Sequence, residues 1–247
     1  MAFPTAYWRT SREPRYSLLF ALPLLLFYQA LAAAAPPVAG SAGTIRNGAD
    51  VILSDFFVWL AGSKGPLIFL ICLTAAGLWL VARDWRAHPG RLSSAAFGLM
   101  TAESVALALV FGIVVSGATA ALLGEPPPLM LPGRVPQLGR GTVFMLSLGA
   151  GIYEELLFRV LIVGVLAWAG QRALGWKPLT AGVAATLAGA LLFSAFHYIG
   201  PYGDKLELYS FVFRAIAGVF FSALYLLRGF GIVAWTHALY DVFLLLR

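Results

Sequence analysis

The sequence predicts an all-α fold, a polytopic membrane bundle of about seven (six to eight) transmembrane helices. Three observations carry that expectation. The 247 residues are 60% hydrophobic and only 11% charged, whereas soluble domains are about 25% charged. Mean hydropathy is +0.85. The apolar residues fall in continuous runs near the roughly 20 residues that a membrane helix needs, and not in the alternation of a transmembrane β-barrel.

The first run, 16–35, follows Arg9, Arg12 and Arg15 and ends in alanines. That outline resembles a signal peptide. Because further runs continue to the last residue, it is read as an uncleaved first helix. VILSDFFVWL at 51–60 is short and carries Asp55, so it reads as interfacial or re-entrant. Runs near 66–82, 95–123, 141–169, 179–198, 207–227 and 231–246 supply the remaining spans. Proline-rich connectors separate them at Pro36-Pro37, at EPPPLMLPGRVP (125–136) and at GPYG (200–203). Repeats, low-complexity tracts and a soluble domain are absent from the sequence. The chain divides into N-terminal membrane helices over 1–139 and a motif-bearing core over 140–247.

A net charge of +6 does not signal nucleic acid, because the basic residues sit in short loops without interleaved aromatics. They report topology and attraction to anionic lipid. The N-terminal arginines, the 83–91 loop (Arg83, Arg86, Arg91), the 171–177 loop (Arg172, Lys177) and Arg228 fall on one side of alternating spans. Arg46, Lys64, Arg134 and Arg140 share the other side with acids. The imbalance predicts a cytoplasmic N-terminus. The single cysteine, Cys72, lies in an apolar run and is expected to pack; one cysteine excludes an intramolecular disulfide and any Cys-rich metal site.

Against this background, a few polar residues stand out, because a charged group near the bilayer centre costs about 2.5–3.5 kcal/mol on insertion scales. GIYEELLFRV places Glu154, Glu155 and Arg159 in one run. Glu155 and Arg159 are one turn apart and can neutralise each other. Glu154 points elsewhere and has no basic partner at that spacing. It is the candidate functional carboxylate. LLFSAFHYIG sets Phe193 and His197 one turn apart, and WTHALYDVF does the same for His237 and Asp241. The third histidine, His88, is a loop residue outside these groups. Each group has an ordinary structural reading: helix glue, an interfacial histidine, an interhelical hydrogen-bonding face. Together they bring a carboxylate, a guanidinium and two imidazoles from three helices.

That set suits water activation. A buried carboxylate can take a proton from water while an imidazole orients that water or protonates a leaving amine. A second imidazole, with Asp241, can stabilise an oxyanion at low dielectric. Cys72 has no local base, and Ser194 lacks a nucleophile-elbow sequence. Two histidines and a glutamate also form a zinc-like donor set, although H-E-x-x-H is absent. No cofactor is expected; the alternative is a divalent metal such as zinc on Glu154, His197 and His237.

The ordered motifs E-E-x-x-x-R (Glu154, Glu155, Arg159), F-x-x-x-H (Phe193, His197) and H-x-x-x-D/N (His237, Asp241) resemble those of the CAAX prenyl endopeptidase type II family. That family is also called the CAAX protease and bacteriocin-processing, or abortive-infection, family. The resemblance covers about 140–247 and implies an all-helical intramembrane endopeptidase; members are described both as metalloproteases and as metal-independent glutamate proteases, and the unpaired Glu154 favours the latter. The resemblance implies that Glu154 activates water with help from His197, and that His237 and Asp241 form the oxyanion side. Glu155 and Arg159 would hold the first motif, and Phe193 would shape the pocket. Eukaryotic prenyl-protein members usually carry Asn where this chain has Asp241. The resemblance further implies a membrane-anchored or lipid-modified protein or peptide substrate, the lipid bilayer as environment, C-terminal processing, no nucleic acid, and a bacterial inner (plasma) membrane. Two other functions compete: a non-catalytic scaffold or immunity protein, and a proton-coupled transporter, although no inverted repeat supports the latter. One tension is geometric. Alternating spans put His197 at a helix end and Glu154 mid-span, which calls for a displaced fifth helix or a tilted or broken fourth one around Gly149 and Gly151.

Overall fold

The computed structural model describes residues 3–35, 44–124, 138–200 and 203–245. The connectors at Pro36-Pro37 and 125–136, with Arg134 in the latter, lie outside the described residues, as do Pro201 and Tyr202 of GPYG. Every regular element among the described residues is helical. The α-helices in chain order are α1 (Phe3–Thr10), α2 (Pro14–Ala34), α3 (Gly48–Ala61), α4 (Gly65–Ala87), α5 (Ser94–Leu123), α6 (Arg140–Gly149), α7 (Gly164–Ala173), α8 (Pro178–Phe196), α9 (Leu208–Arg228) and α10 (Phe230–Leu245), with a 3-10 turn, Gly62–Lys64, between α3 and α4. Two π-helical segments, Ala150–Glu154 and Leu156–Val163, join α6 to α7.

Five helical segments among the described residues are long and apolar enough to cross a membrane: Pro14–Ala34, Gly48–Ala87, Ser94–Leu123, Pro178–Phe196 and Leu208–Arg228. Phe230–Leu245 is apolar but shorter. Large side chains cover the outside, among them Trp59, Ile113 and Leu179. So wide an apolar surface suits hydrocarbon and not water. The chain is a multi-pass integral membrane protein.

Burial runs in stripes. On α5, Met100, Ser104, Ala108, Phe111, Val115 and Thr119 face inward while Leu109, Ile113 and Leu122 face out. The near four-residue spacing follows from 3.6 residues per turn. On α2 the inward stripe is Ser17, Ala21, Leu24, Tyr28 and Ala32. The expected short segment at 51–60 is α3, 14 residues long. Gly62, at φ 61°, lets the chain turn back, and α4 returns against α3 with Phe57 and Phe69 5.4 Å apart. The N-terminal α1 was not anticipated from hydropathy. Cys72 corrects an expectation: it is exposed on α4, not packed.

Short α10 is the axis of the bundle, with Ile232, Val233, Ala234, Thr236 and His237 all buried. Small residues let its neighbours close on it, as expected where helices pack in lipid. A Cβ on Gly231 would lie 2.4 Å from the Ser17 carbonyl oxygen, and one on Gly151 would lie 2.3 Å from that of Ala234. The Ser17 hydroxyl accepts from the Gly231 amide at 2.8 Å, and Trp235 Nε1 donates to the Phe20 carbonyl at 2.6 Å. These approaches fix α10 against α2 and against the π-wound helix that carries the glutamates.

Candidate functional site

Glu154 closes the first π segment, and Glu155 sits between the two. π turns inside a helix are frequent at functional sites because the wider turn re-aims side chains. Here the turns begin one residue after Gly149, where the sequence called for a break or a tilt. Glu154 lies in the first half of the helix running from Arg140 to Ala173, and His197 follows the last residue of α8. A Cβ on Gly189 of α8 would lie 2.5 Å from Val163 Cγ2, and this register brings the end of α8 to the level of Glu154, which removes the tension in depth.

Glu154, Glu155, Arg159 and His237 are all buried; His197 and Asp241 are half-buried. Arg159 Nε lies 3.1 Å from Glu155 Oε2, so the spacing-based pair forms. The other Glu155 oxygen was not anticipated: Oε1 lies 2.6 Å from His237 Nδ1. A carboxylate paired with Arg159 can only accept, so His237 Nδ1 carries a proton. His237 is held a second way by Phe221, stacked at 4.4 Å and 19°. Its Nε2 is 3.7 Å from Asp241 Oδ2, a charge contact longer than a hydrogen bond.

His197 Nδ1 is 2.8 Å from the Phe193 carbonyl. A carbonyl only accepts, so Nδ1 is the protonated nitrogen and Nε2 carries the lone pair. Phe193 meets His197 edge-on at 4.9 Å, and its ring lies 4.4 Å from the Arg159 guanidinium carbon. Phe193 therefore joins the second motif to the first. Ser194 donates to the Phe211 carbonyl at 2.7 Å, so its hydroxyl is engaged in helix packing. His88 lies in a separate cluster with Asp84, 3.1 Å away.

Glu154 is in electrostatic contact with His197, His237 and Arg159. All three sequence motifs thus converge around one carboxylate. Its Oε1 accepts from Asn47 Nδ2 at 2.9 Å, and Oε2 has no hydrogen-bond partner among the described residues. Asn47, at the head of α3, was missed by sequence reasoning. Its signal was the N-cap pattern of an asparagine before a short apolar helix. Around it runs a partly buried network: Tyr28 donates to Asp50 at 2.7 Å, Arg46 pairs with Asp50 at 2.5 Å and donates to Gln29 at 2.8 Å, and Gln29 donates to Tyr153 at 2.6 Å.

Glu154, His197 and His237 are the residues that would hold a divalent metal such as zinc. As placed, however, no three His, Cys, Asp or Glu side chains among the described residues form a group that could hold a metal ion. One nitrogen of each histidine is engaged, His197 by a carbonyl and His237 by Glu155, an arrangement that metal-ligating histidines share, since it leaves the other nitrogen for a ligand.

Residues 137–243 match the family model described as type II CAAX prenyl endopeptidase, Rce1-like. The matched segment contains all three motifs and ends before the last residues of α10. No curated protein and no solved structure matches the chain.

Proposed function

We propose that this chain, whose residues 137–243 match the Rce1-like type II CAAX prenyl endopeptidase family model, hydrolyses peptide bonds of membrane-associated substrates with water activated by Glu154. The observation that carries this reading is the divided Glu154 carboxylate. One oxygen is held by Asn47, and the other has no hydrogen-bond partner among the described residues. A buried, unsatisfied carboxylate oxygen is costly, and a water molecule is the ligand it suits.

The reaction needs only the chain's own groups. Glu154 takes a proton from water while the His197 Nε2 lone pair orients the other O–H. The water oxygen attacks the peptide carbonyl carbon, and the carbonyl electron pair moves to oxygen. His237, oriented by Glu155 and protonated at both nitrogens, donates through Nε2 to that oxyanion. Asp241 lies close enough to hold the imidazolium. The tetrahedral intermediate then collapses, the C–N bond breaks, and the Glu154 proton passes to the leaving amine. Arg159, with Nε 3.1 Å from Glu155 Oε2, holds the carboxylate that orients His237.

The reading extends to the setting. The substrate is a membrane-anchored or lipid-modified protein or peptide, cut near its membrane-borne end. The N-terminus faces the cytoplasm of a bacterial inner membrane. In support, Arg15 lies 3.5 Å from Asp84, and Arg228 donates to the Trp8 carbonyl at 3.2 Å. Three of the basic clusters thus gather at one end of the bundle, as the positive-inside rule requires.

The test compares membrane peptides by mass spectrometry in cells making wild-type protein or Glu154→Gln. The variant should accumulate uncut substrate, with turnover down by 10²–10⁴-fold as for a lost general base, and should unfold at the wild-type temperature in detergent. Unimpaired turnover sinks the assignment. A chelator arm tests the metal-dependent version: loss of turnover restored by zinc would replace this route.

A further inference from the structure

The family segment starts at residue 137, yet the hydrogen bond that holds Glu154 comes from residue 47. We propose that Asn47 is a positioning residue for hydrolysis: its amide grips Glu154 Oε1 so that Oε2 is the oxygen left to take the proton from water. The proposal rests on the water-activation reading of Glu154.

The direction of this amide is decided by its own cap. The Asn47 side-chain oxygen accepts from the Ala49 amide at 2.9 Å, capping α3. An N–H can donate only to that oxygen, so the NH₂ end must be the one turned to Glu154. The NH₂ group cannot accept, which makes Glu154 Oε1 an acceptor without a proton. The carboxylate is thereby made asymmetric, with the proton-accepting role left to Oε2.

The amide is also held rigidly. The Asn47 backbone N–H donates to the Tyr28 hydroxyl at 3.1 Å, and Tyr28 in turn donates to Asp50 in the first turn of α3. Two glycines admit the whole corner. A Cβ on Gly149 would lie 2.5 Å from Tyr28 Cε2 and 2.9 Å from Asn47 Cβ, and one on Gly48 would lie 2.9 Å from Phe196 Cζ. The head of α3 is therefore wedged between the glutamate helix and the end of α8, one residue from His197. Its N-terminal dipole adds a favourable field for the Glu154 anion.

Two substitutions separate positioning from capping. Serine and aspartate cap helices about as well as asparagine. Asn47→Ser keeps the cap but is too short to reach Glu154 as well. Asn47→Asp keeps cap and shape but has no N–H to give. Kinetics on a membrane-tethered peptide substrate in detergent, with thermal unfolding in parallel, should show both variants folded. In both, kcat should fall on the order of 10²-fold, as for a misplaced catalytic group, with KM changed by less than about twofold. Wild-type kcat in either variant overturns the proposal. So does loss of folding in both, which, with the cap kept, would make the Asn47–Glu154 hydrogen bond a structural tie and nothing more. Glu154→Gln is the control that tells the two ideas apart. If it is inactive while Asn47→Ser is fully active, only the positioning role falls; if it is fully active, the water-activation reading falls first.

Discussion

Two buried arginines, Arg228 and Arg159, are built from the same parts. Each pairs with a glutamate, Glu103 for the first and Glu155 for the second, and each lies against aromatic rings: Tyr7 and Trp8 at 5.0 and 4.7 Å, Phe193 at 4.4 Å. Their hydrogen bonding separates them. Arg228 grips Glu103 with Nε at 2.5 Å and Nη2 at 2.7 Å and gives Nη1 to the Trp8 carbonyl. Tyr7 adds a hydrogen bond to the same carboxylate at 2.6 Å, and burial beside Glu103 pushes its phenol well above the ordinary value, so it stays a donor. None of the three Arg159 nitrogens has a hydrogen-bond partner among the described residues. A clamp that only ties helices together consumes its donors. A charge kept for its field leaves them uncommitted, and that difference distinguishes the tie at one end of the bundle from the site at the other.

The strongest way to break this contrast is at Glu155. Glu155→Gln leaves Arg159 as an uncompensated buried cation, which costs about 3–5 kcal/mol, and weakens the hold on His237. Thermal unfolding should drop sharply and turnover should fall with it. Glu155→Gln combined with Arg159→Met removes the stranded charge, so stability should recover in large part while activity does not. Recovery of both would show that the pair serves the fold alone.

At Arg228 the opposite split is expected. Arg228→Met strands the Glu103 carboxylate, which is partly open to solvent, and loses several hydrogen bonds worth about 0.5–1.5 kcal/mol each, more where charged. The measurable result is a lower unfolding temperature with kcat per folded molecule unchanged. A fall in kcat at full folding would remove the distinction between the two arginines.

How much of this was legible in the sequence follows from the range of each contact. The spans were legible because lipid demands long apolar runs: 95–123 in the sequence became Ser94–Leu123, and 179–198 became Pro178–Phe196. The Glu155–Arg159 pair was legible because four-residue spacing is a local rule. Glu155 with His237, and Glu154 with Asn47, join residues 82 and 107 positions apart, and no local rule reaches that far. The π winding was only half legible: Gly149 and Gly151 flagged an irregular helix, but their close contacts with Tyr28 and Ala234 arise in packing. Cys72 misled because an apolar run in a membrane protein faces lipid as readily as it faces a core.

Phe193 offers the finest distinction, since it touches both the charge and the base. Its ring stacks on Arg159 and meets His197 edge-on, while its carbonyl fixes the His197 tautomer. Phe193→Leu keeps the carbonyl and most of the apolar bulk and removes only the ring. The loss of a desolvated cation–π contact costs about 2 kcal/mol, less than stranding a buried charge, so unfolding should shift by a smaller amount. If Phe193 serves chiefly to hold Arg159, the added variant Arg159→Met should make Phe193→Leu nearly neutral for stability, since the interaction is already gone. If it serves chiefly to orient His197, the ring's removal should lower kcat in both backgrounds alike, and stability would be the less sensitive readout. A double-mutant cycle read on both quantities decides between them, and the expected result is coupling in stability with an additive, smaller effect on kcat.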